Sequence, residues 1–240
     1  MLVVLPPSEG KARPARGRPA DLSRLAFPEL TARREALLDA LAALAAGPRD
    51  DALQALGLSA GQAGDVAHNA ELRTAPAAKA SAVYTGVLFE RLRLAELPAP
   101  ARRRVLIASA LWGMVRPDDR IPAYRLSVGA RLPGHPGLAA WWKPALREAL
   151  SDRGLVVDLR SGAYAAAWRP RRATAITVRA FTEDGTVVSH MAKRVRGDVA
   201  RVLLEAAPVP RRPADLLAAV TAAGMRAQLG DGVLDVVERG

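Results

Sequence analysis

The chain has no cysteine, which excludes disulfides, thiol catalysis and Cys-ligated zinc or iron–sulfur clusters. Histidine is scarce: His68, His135 and His190 are the only three, and no two stand four residues apart. A metal site built on imidazoles is therefore not expected, nor is any other cofactor. Aromatic residues make up 4% of the 240 positions, so each one is worth placing. No run approaches the roughly 18 apolar residues that a membrane-crossing helix needs. The opening MLVVLPPSEGK lacks a basic segment before its apolar run and reads as a strand rather than a signal peptide. The expected setting is the cytoplasm, away from any membrane.

Positive charge is what the chain has in excess. Its formal net charge is +11, with an isoelectric point near 11.1, and a surplus of that size favours polyanionic partners. Only Lys11, Lys79, Lys143 and Lys193 of the 35 basic residues are lysines; the rest are arginines. Together with abundant Ala, Gly and Pro, that skew also follows from a GC-rich coding bias. The charge alone thus raises the nucleic-acid reading only modestly.

Periodicity predicts an α/β (α+β) protein, a single compact domain over residues 1–240 with a mixed sheet flanked by helices. Strands are expected at Leu2–Leu5, Val105–Ser109, Leu155–Leu159 and Val233–Val237. A hairpin is expected from Thr174–Ala180 and Thr186–Ser189 around the EDG turn. Helices are predicted over Thr31–Ala46, two short segments around a Gly/Ser turn between 50 and 72, about Ala77–Leu94, Leu138–Ser151, Arg194–Ala206 and Arg212–Ala223.

Several stretches could carry chemistry. PPSEGKA follows the first strand, offering Ser8, Glu9 and Lys11 where open α/β sheets usually place ligands. It lacks the first glycine and the Ser or Thr of a Walker loop, which disfavours ATP. An ordinary polar turn is the equal alternative. SALWGMVRPDDRIPAYRL joins Trp112, Gly113, Arg116, Tyr124 and Arg125: the rings could stack a base and the arginines meet phosphates. Alternatively Trp112 and Tyr124 are core anchors, with Arg116 paired to Asp118 or Asp119. YTGVLFERL places Tyr84 and Gly86 beside Thr85, a possible helix N-cap. VVDLRSGAY places Asp158, Ser161 and Tyr164 just past a strand, while Arg169, Arg171 and Arg172 read as a loop charge cluster. Neither Ser8 nor Ser161 has a histidine placed to activate it or a nucleophile-elbow pattern around it.

In HMAKRVRGDVARVL, Lys193 and Arg196 fall three apart on one helical face, with Arg194 elsewhere. Two cations at a helix start oppose its dipole, a clash that a bound anion relieves. Arg194 and Arg201 read as surface charge.

The set LPPSEGK, YTGVLFE, ALWGMVRPDDRIPAYRL, VDLRSGAY and MAKRVRG, in this order and spacing, resembles the YaaA family of bacterial peroxide stress proteins over nearly the whole chain. The resemblance implies a single-domain mixed α/β fold with a positively charged cleft and a helix-hairpin-helix element. It also implies DNA binding and a cytoplasmic role in limiting iron-dependent oxidative damage. Carried over, the cleft involves Lys11, Tyr84, Gly86, Gly113, Arg116, Pro117, Tyr124, Arg125, Ser161, Tyr164, Lys193, Arg196 and Gly197. The chain departs from the family by carrying Pro-Ser-Glu-Gly-Lys where many relatives have a Ser-Pro-Ala-Lys-type loop. It also lacks a clean Gly-x-Gly between helices.

Two functions follow from these readings. One is a monomeric stress protein that binds duplex or branched DNA without sequence preference, through Lys11, Arg116, Arg125, Lys193 and Arg196. The other is an enzyme acting on a nucleobase, nucleotide or other small anionic ligand in the same cleft, with Lys11 or Lys193 as electrophilic stabiliser or base. Convergence of Lys11, Arg116, Tyr124, Lys193 and Arg196 in one pocket favours the second; a duplex-wide groove favours the first.

Overall fold

The computed structural model describes residues 1–181 and 189–237, without the side chains of 189–191. Its frame is a seven-stranded mixed sheet in the order β4-β3-β1-β6-β7-β9-β8. These strands are β1 (Leu2–Leu5), β3 (Val105–Ser109), β4 (Gly113–Val115), β6 (Leu155–Asp158), β7 (Thr174–Phe181), β8 (Arg226–Gly230) and β9 (Val233–Val237); Ala78–Lys79 and Arg120–Ile121 form a separate antiparallel pair, β2 and β5. The five central strands run parallel and the antiparallel edges β4 and β8 close the sheet. Val3, Val4 and Leu5 are fully buried, as a parallel strand covered on both faces requires. One continuous apolar cluster joins this strand to residues of the flanking helices.

The helices are α1 (Thr31–Ala46), α2 (Arg49–Leu56), α3 (Ala63–Ala70), α4 (Ala80–Val83), α5 (Val87–Leu92), α6 (Ala99–Arg102), α7 (Leu138–Ala149), α8 (Gly162–Ala165), α9 (Ser189–Glu205) and α10 (Pro213–Ala222). In α1, strong helix formers run uninterrupted to Gly47–Pro48, and Leu37, Leu38 and Leu41 face the core. The sheet is mixed, as its strand and helix spacing predicts.

Local differences have identifiable causes. The single helix expected over Ala77–Leu94 is broken, because Tyr84 pairs with Lys11 in an antiparallel bridge and Gly86 takes φ 96°, open to glycine alone at little cost. Gly86, not Thr85, precedes α5, and no side chain caps it. The loop expected after β3 instead turns straight back as β4, and the last strand has an unforeseen partner in β8. The hairpin partner expected at 186–189 lies, up to residue 188, outside the described residues, and Ser189 opens α9. α9 begins earlier than expected, so Lys193 and Arg196 sit beyond its first turn, where free N–H groups and the dipole no longer act. The dipole argument for an anion at these two residues therefore fails, although their shared face survives.

Candidate functional site

From β1 the chain proceeds to β3 on one side, whereas β6, β7 and β9 extend the sheet on the other. The carboxyl ends of β1 and β6 thus flank a topological switch point, where open α/β sheets form a crevice. The loop Pro6–Lys11 leaves one end and the turn Leu159–Tyr164 leaves the other. Together with α9, the Leu56–Leu58 corner and the start of α5, they enclose a cavity of about 610 Å³. Glu9, Lys11, Arg125, Lys193 and Arg196 line it, so four cations face one carboxylate. Pro7, Leu58, Val87, Leu126 and Tyr164 provide an apolar wall.

Each lining group is held locally. Ser8 Oγ donates to the Gly10 carbonyl and accepts from the Thr85 amide at 3.1 Å, so its hydroxyl is occupied by fixing the loop. Lys11 Nζ donates to the Ser8 carbonyl at 2.8 Å and lies 4.3 Å from the centre of the Tyr124 ring. Burial, with Arg125 nearby, lowers the Lys11 pKa to about 8, against the pull of Glu9 and Asp65. Arg125 donates to the Glu9 carbonyl at 3.3 Å, and its backbone is clamped by Asn69 on both sides. Arg196 Nε donates to the Val178 carbonyl at 3.3 Å; burial lowers its pKa, with Asp158 opposing. Lys193 is exposed at the rim.

Beneath Lys11, three hydroxyls form a buried chain. Tyr124 Oη lies 2.9 Å from Tyr84 Oη and 2.7 Å from Ser109 Oγ, which also accepts from the Trp112 amide. Burial pushes both phenols far above their ordinary pKa. Tyr164, at the cavity wall, is raised to about 12, again by burial. These phenols are neutral acids at physiological pH, and the amine above them is the group poised to titrate.

The structure brings Ser8, Glu9, Lys11, Gly86, Arg125, Ser161, Tyr164, Lys193 and Arg196 to this cavity. Tyr84 and Tyr124 form part of its floor through Lys11. Six expected residues, Trp112, Gly113, Arg116, Pro117, Asp158 and Gly197, do not line it. Trp112 is entirely buried. Gly113 takes φ 71°, and a Cβ there would come within 2.7 Å of Trp142; it serves packing. Arg116 leans over Phe27 and donates to the Arg103 carbonyl at 2.8 Å, while its amide, not its guanidinium, meets Asp119. Asp158 is consumed by a bidentate pair with buried Arg160, at 2.9 and 2.7 Å. Gly197 is a close-approach position, since a Cβ would sit 2.6 Å from the Leu88 carbonyl on α5.

Sequence reasoning passed over Arg160, which also donates to the Trp168 carbonyl at 2.7 Å and to the carbonyl of Tyr164, a lining residue, at 3.3 Å. Its signal was legible: opposite charges two apart at a strand end share a face. Arg34, wholly buried, gave no signal in an ordinary helical pattern. Its guanidinium donates to the carbonyls of Ala26, Phe27, Trp112 and Met114, and burial lowers its pKa to about 10. Among the described residues no group of three or more His, Asp or Glu could hold a metal, and no helix is long and apolar enough to cross a membrane.

Residues 1–225 match the family model described as peroxide stress protein YaaA. A UPF0246 protein of Streptomyces coelicolor is 48% identical over 231 residues, covering 92% of this chain and 89% of its own. A UPF0246 protein of Corynebacterium glutamicum is 40% identical over 232 residues, 94% of each chain. An uncharacterized protein of Campylobacter jejuni is 31% identical over 134 residues, 53% of each.

Proposed function

The chain belongs to the peroxide stress protein YaaA family, and on that premise we propose that it serves the stress response by binding a phosphate-bearing ligand of nucleotide size in the cleft between β1 and β6. The observation that carries this reading is the cavity of about 610 Å³ with four cations, one carboxylate and an apolar wall. That volume lies within the usual range for small-molecule and cofactor pockets. Arg125, Lys193 and Arg196 receive phosphate oxygens, and the apolar wall with Tyr164 takes the base. Lys11, whose pKa is near 8, exchanges a proton with the bound ligand at neutral pH.

A second reading is favoured by the net charge of +11: the protein grips DNA and so limits iron-dependent damage to it. Here the cleft cations contact backbone phosphates, and the α2–α3 pair, joined across Gly57–Gln62, stands as the helix-hairpin-helix.

Calorimetric titration of the whole chain with a purine mononucleotide, and in parallel with a short DNA duplex, tests both. In the first reading the mononucleotide binds with one site, and Lys193→Ala weakens it at least tenfold. Absence of stabilisation by any nucleotide or by inorganic phosphate removes that reading. Duplex binding that falls steeply with salt and is weakened by Lys193→Ala supports the second; its absence at low salt removes it.

A further inference from the structure

A second concave surface lies outside the cleft. Beyond Ser161 and Tyr164, which face the cleft, Ala166–Arg169 and Arg171 turn away and form with α7 a basin of about 620 Å³, lined by Lys143, Arg147, Arg169 and Arg171. No acidic residue lines it. Arg147 and Arg171 also line an adjoining depression with Arg172. Its acidic member, Asp152, is engaged by the backbone amides of Arg171 and Arg172.

The bland explanation is that an arginine-rich protein leaves arginines on its surface. Lone surface arginines do occur, since Arg16, Arg18, Arg131 and Arg153 are exposed and have no carboxylate partner among the described residues. They are scattered, whereas the basin gathers four cations, and other arginines are paired. Arg73 bridges Glu35 and Asp39, Arg91 meets Asp198, Arg102 meets Asp118, and Arg179 meets Asp235. At the basin, none of the four cationic side chains has a carboxylate partner among the described residues. Lys143 and Arg147 stand four apart on α7, a like-charge spacing that destabilises the helix. Two further arginines are then brought against that pair from another segment. The segment is fixed: Asp152 tethers Arg171 and Arg172, and Trp168 is buried, with its carbonyl held by Arg160.

We propose that this basin is a second anion site, which binds a short phosphate chain, either inorganic triphosphate or the triphosphate arm of a nucleotide. Cations on two facing walls suit a compact ligand with several adjacent charges. Arginine forks meet phosphate oxygens in pairs. The site is independent of the cleft and survives if the reading of the cleft fails.

Inorganic triphosphate and ATP, titrated by calorimetry into the whole chain at low salt, test the proposal. Expected is a triphosphate site that persists in Lys193→Ala, where the cleft is impaired, and that in this background is weakened at least tenfold by Lys143→Ala/Arg147→Ala and by Arg169→Ala/Arg171→Ala. ATP binding equal to triphosphate identifies the free phosphate chain as sufficient; tighter ATP binding identifies the nucleotide as its source. The unliganded melting temperature of Lys143→Gln should hold or rise, because a repulsion is relieved, whereas a merely structural lysine would lower it. Failure of triphosphate to bind, indifference to both double variants, or loss in Lys193→Ala would each overturn the proposal.

Discussion

Arg34 and Arg160 differ from Arg125, Lys193 and Arg196 in what their charges meet. The first two are 0% and 3% exposed, and their guanidinium edges are taken up by carbonyls and, for Arg160, by Asp158. The cleft cations surround an open volume with one carboxylate among them. A net charge of +11 therefore says little by itself, because some cations are internal scaffolding and others are left to a ligand. What separates them is how much of each donor set the chain consumes: Arg125 commits one bond to the Glu9 carbonyl and lies 3.9 Å from Asp65, and Arg196 commits one to the Val178 carbonyl.

Breaking the scaffolding side of this contrast should have the largest effect. Arg34→Met removes a guanidinium that serves four carbonyls, of which Phe27 and Trp112 keep a backbone donor, and about 3–5 kcal/mol of stability should go with it. That corresponds to a fall in Tm of roughly 6–20 °C in a chain of this size. A fall of under about 2 °C by calorimetry would show that the enclosed arginine is dispensable. Gly197→Ala pushes a Cβ into the Leu88 carbonyl and the Arg91 stem. A loss of about 1–2 kcal/mol is expected even after the gain in helix propensity, read as a lower urea midpoint. Tyr124→Phe takes away the partner that the Tyr84 and Ser109 hydroxyls share, though Ser109 Oγ keeps the Trp112 amide, at about 1–2 kcal/mol.

Smaller effects sharpen the cleft side. Lys11 titrates near 8 in the folded chain against 10.5 in its ordinary state. Between those values the unfolded chain binds more protons, so its contribution to stability rises with pH from about 8 upward and is at its least below. In Lys11→Met that slope should vanish from the difference between urea midpoints measured at about pH 8 and about pH 10. An identical slope in wild type and variant would return Lys11 to the exposed class. Last, Lys193→Ala should move stability by less than about 0.5 kcal/mol while weakening mononucleotide binding in the cleft at least tenfold. A large destabilisation with binding intact would put Lys193 on the scaffolding side.

The central strands were legible because burial on both faces leaves an uninterrupted apolar run, as in Leu2–Leu5 and Val105–Ser109. Thr31–Ala46 was legible from its leucine spacing and its Gly-Pro stop. Around Tyr84 the local pattern favoured helix, and a bridge to Lys11, far away in sequence, overrode it. At the candidate site, the strand-end loops Ser8–Lys11 and Ser161–Tyr164 stand out in the sequence, and the structure brings both to one cavity. Trp112, Gly113 and Arg116 also follow a strand but face inward or onto other neighbours, and periodicity does not record which way a loop turns.

The sequence by itself determined an α/β chain with a mixed sheet, no thiol chemistry, scarce imidazole and a large positive surplus, because these follow from residue identity and short-range period. Only the tertiary structure decided which cations are used up and which are offered. That depends on which carbonyls and carboxylates come within about 3 Å of a guanidinium, and the partners of Arg34 lie 78 and 80 residues away at Trp112 and Met114.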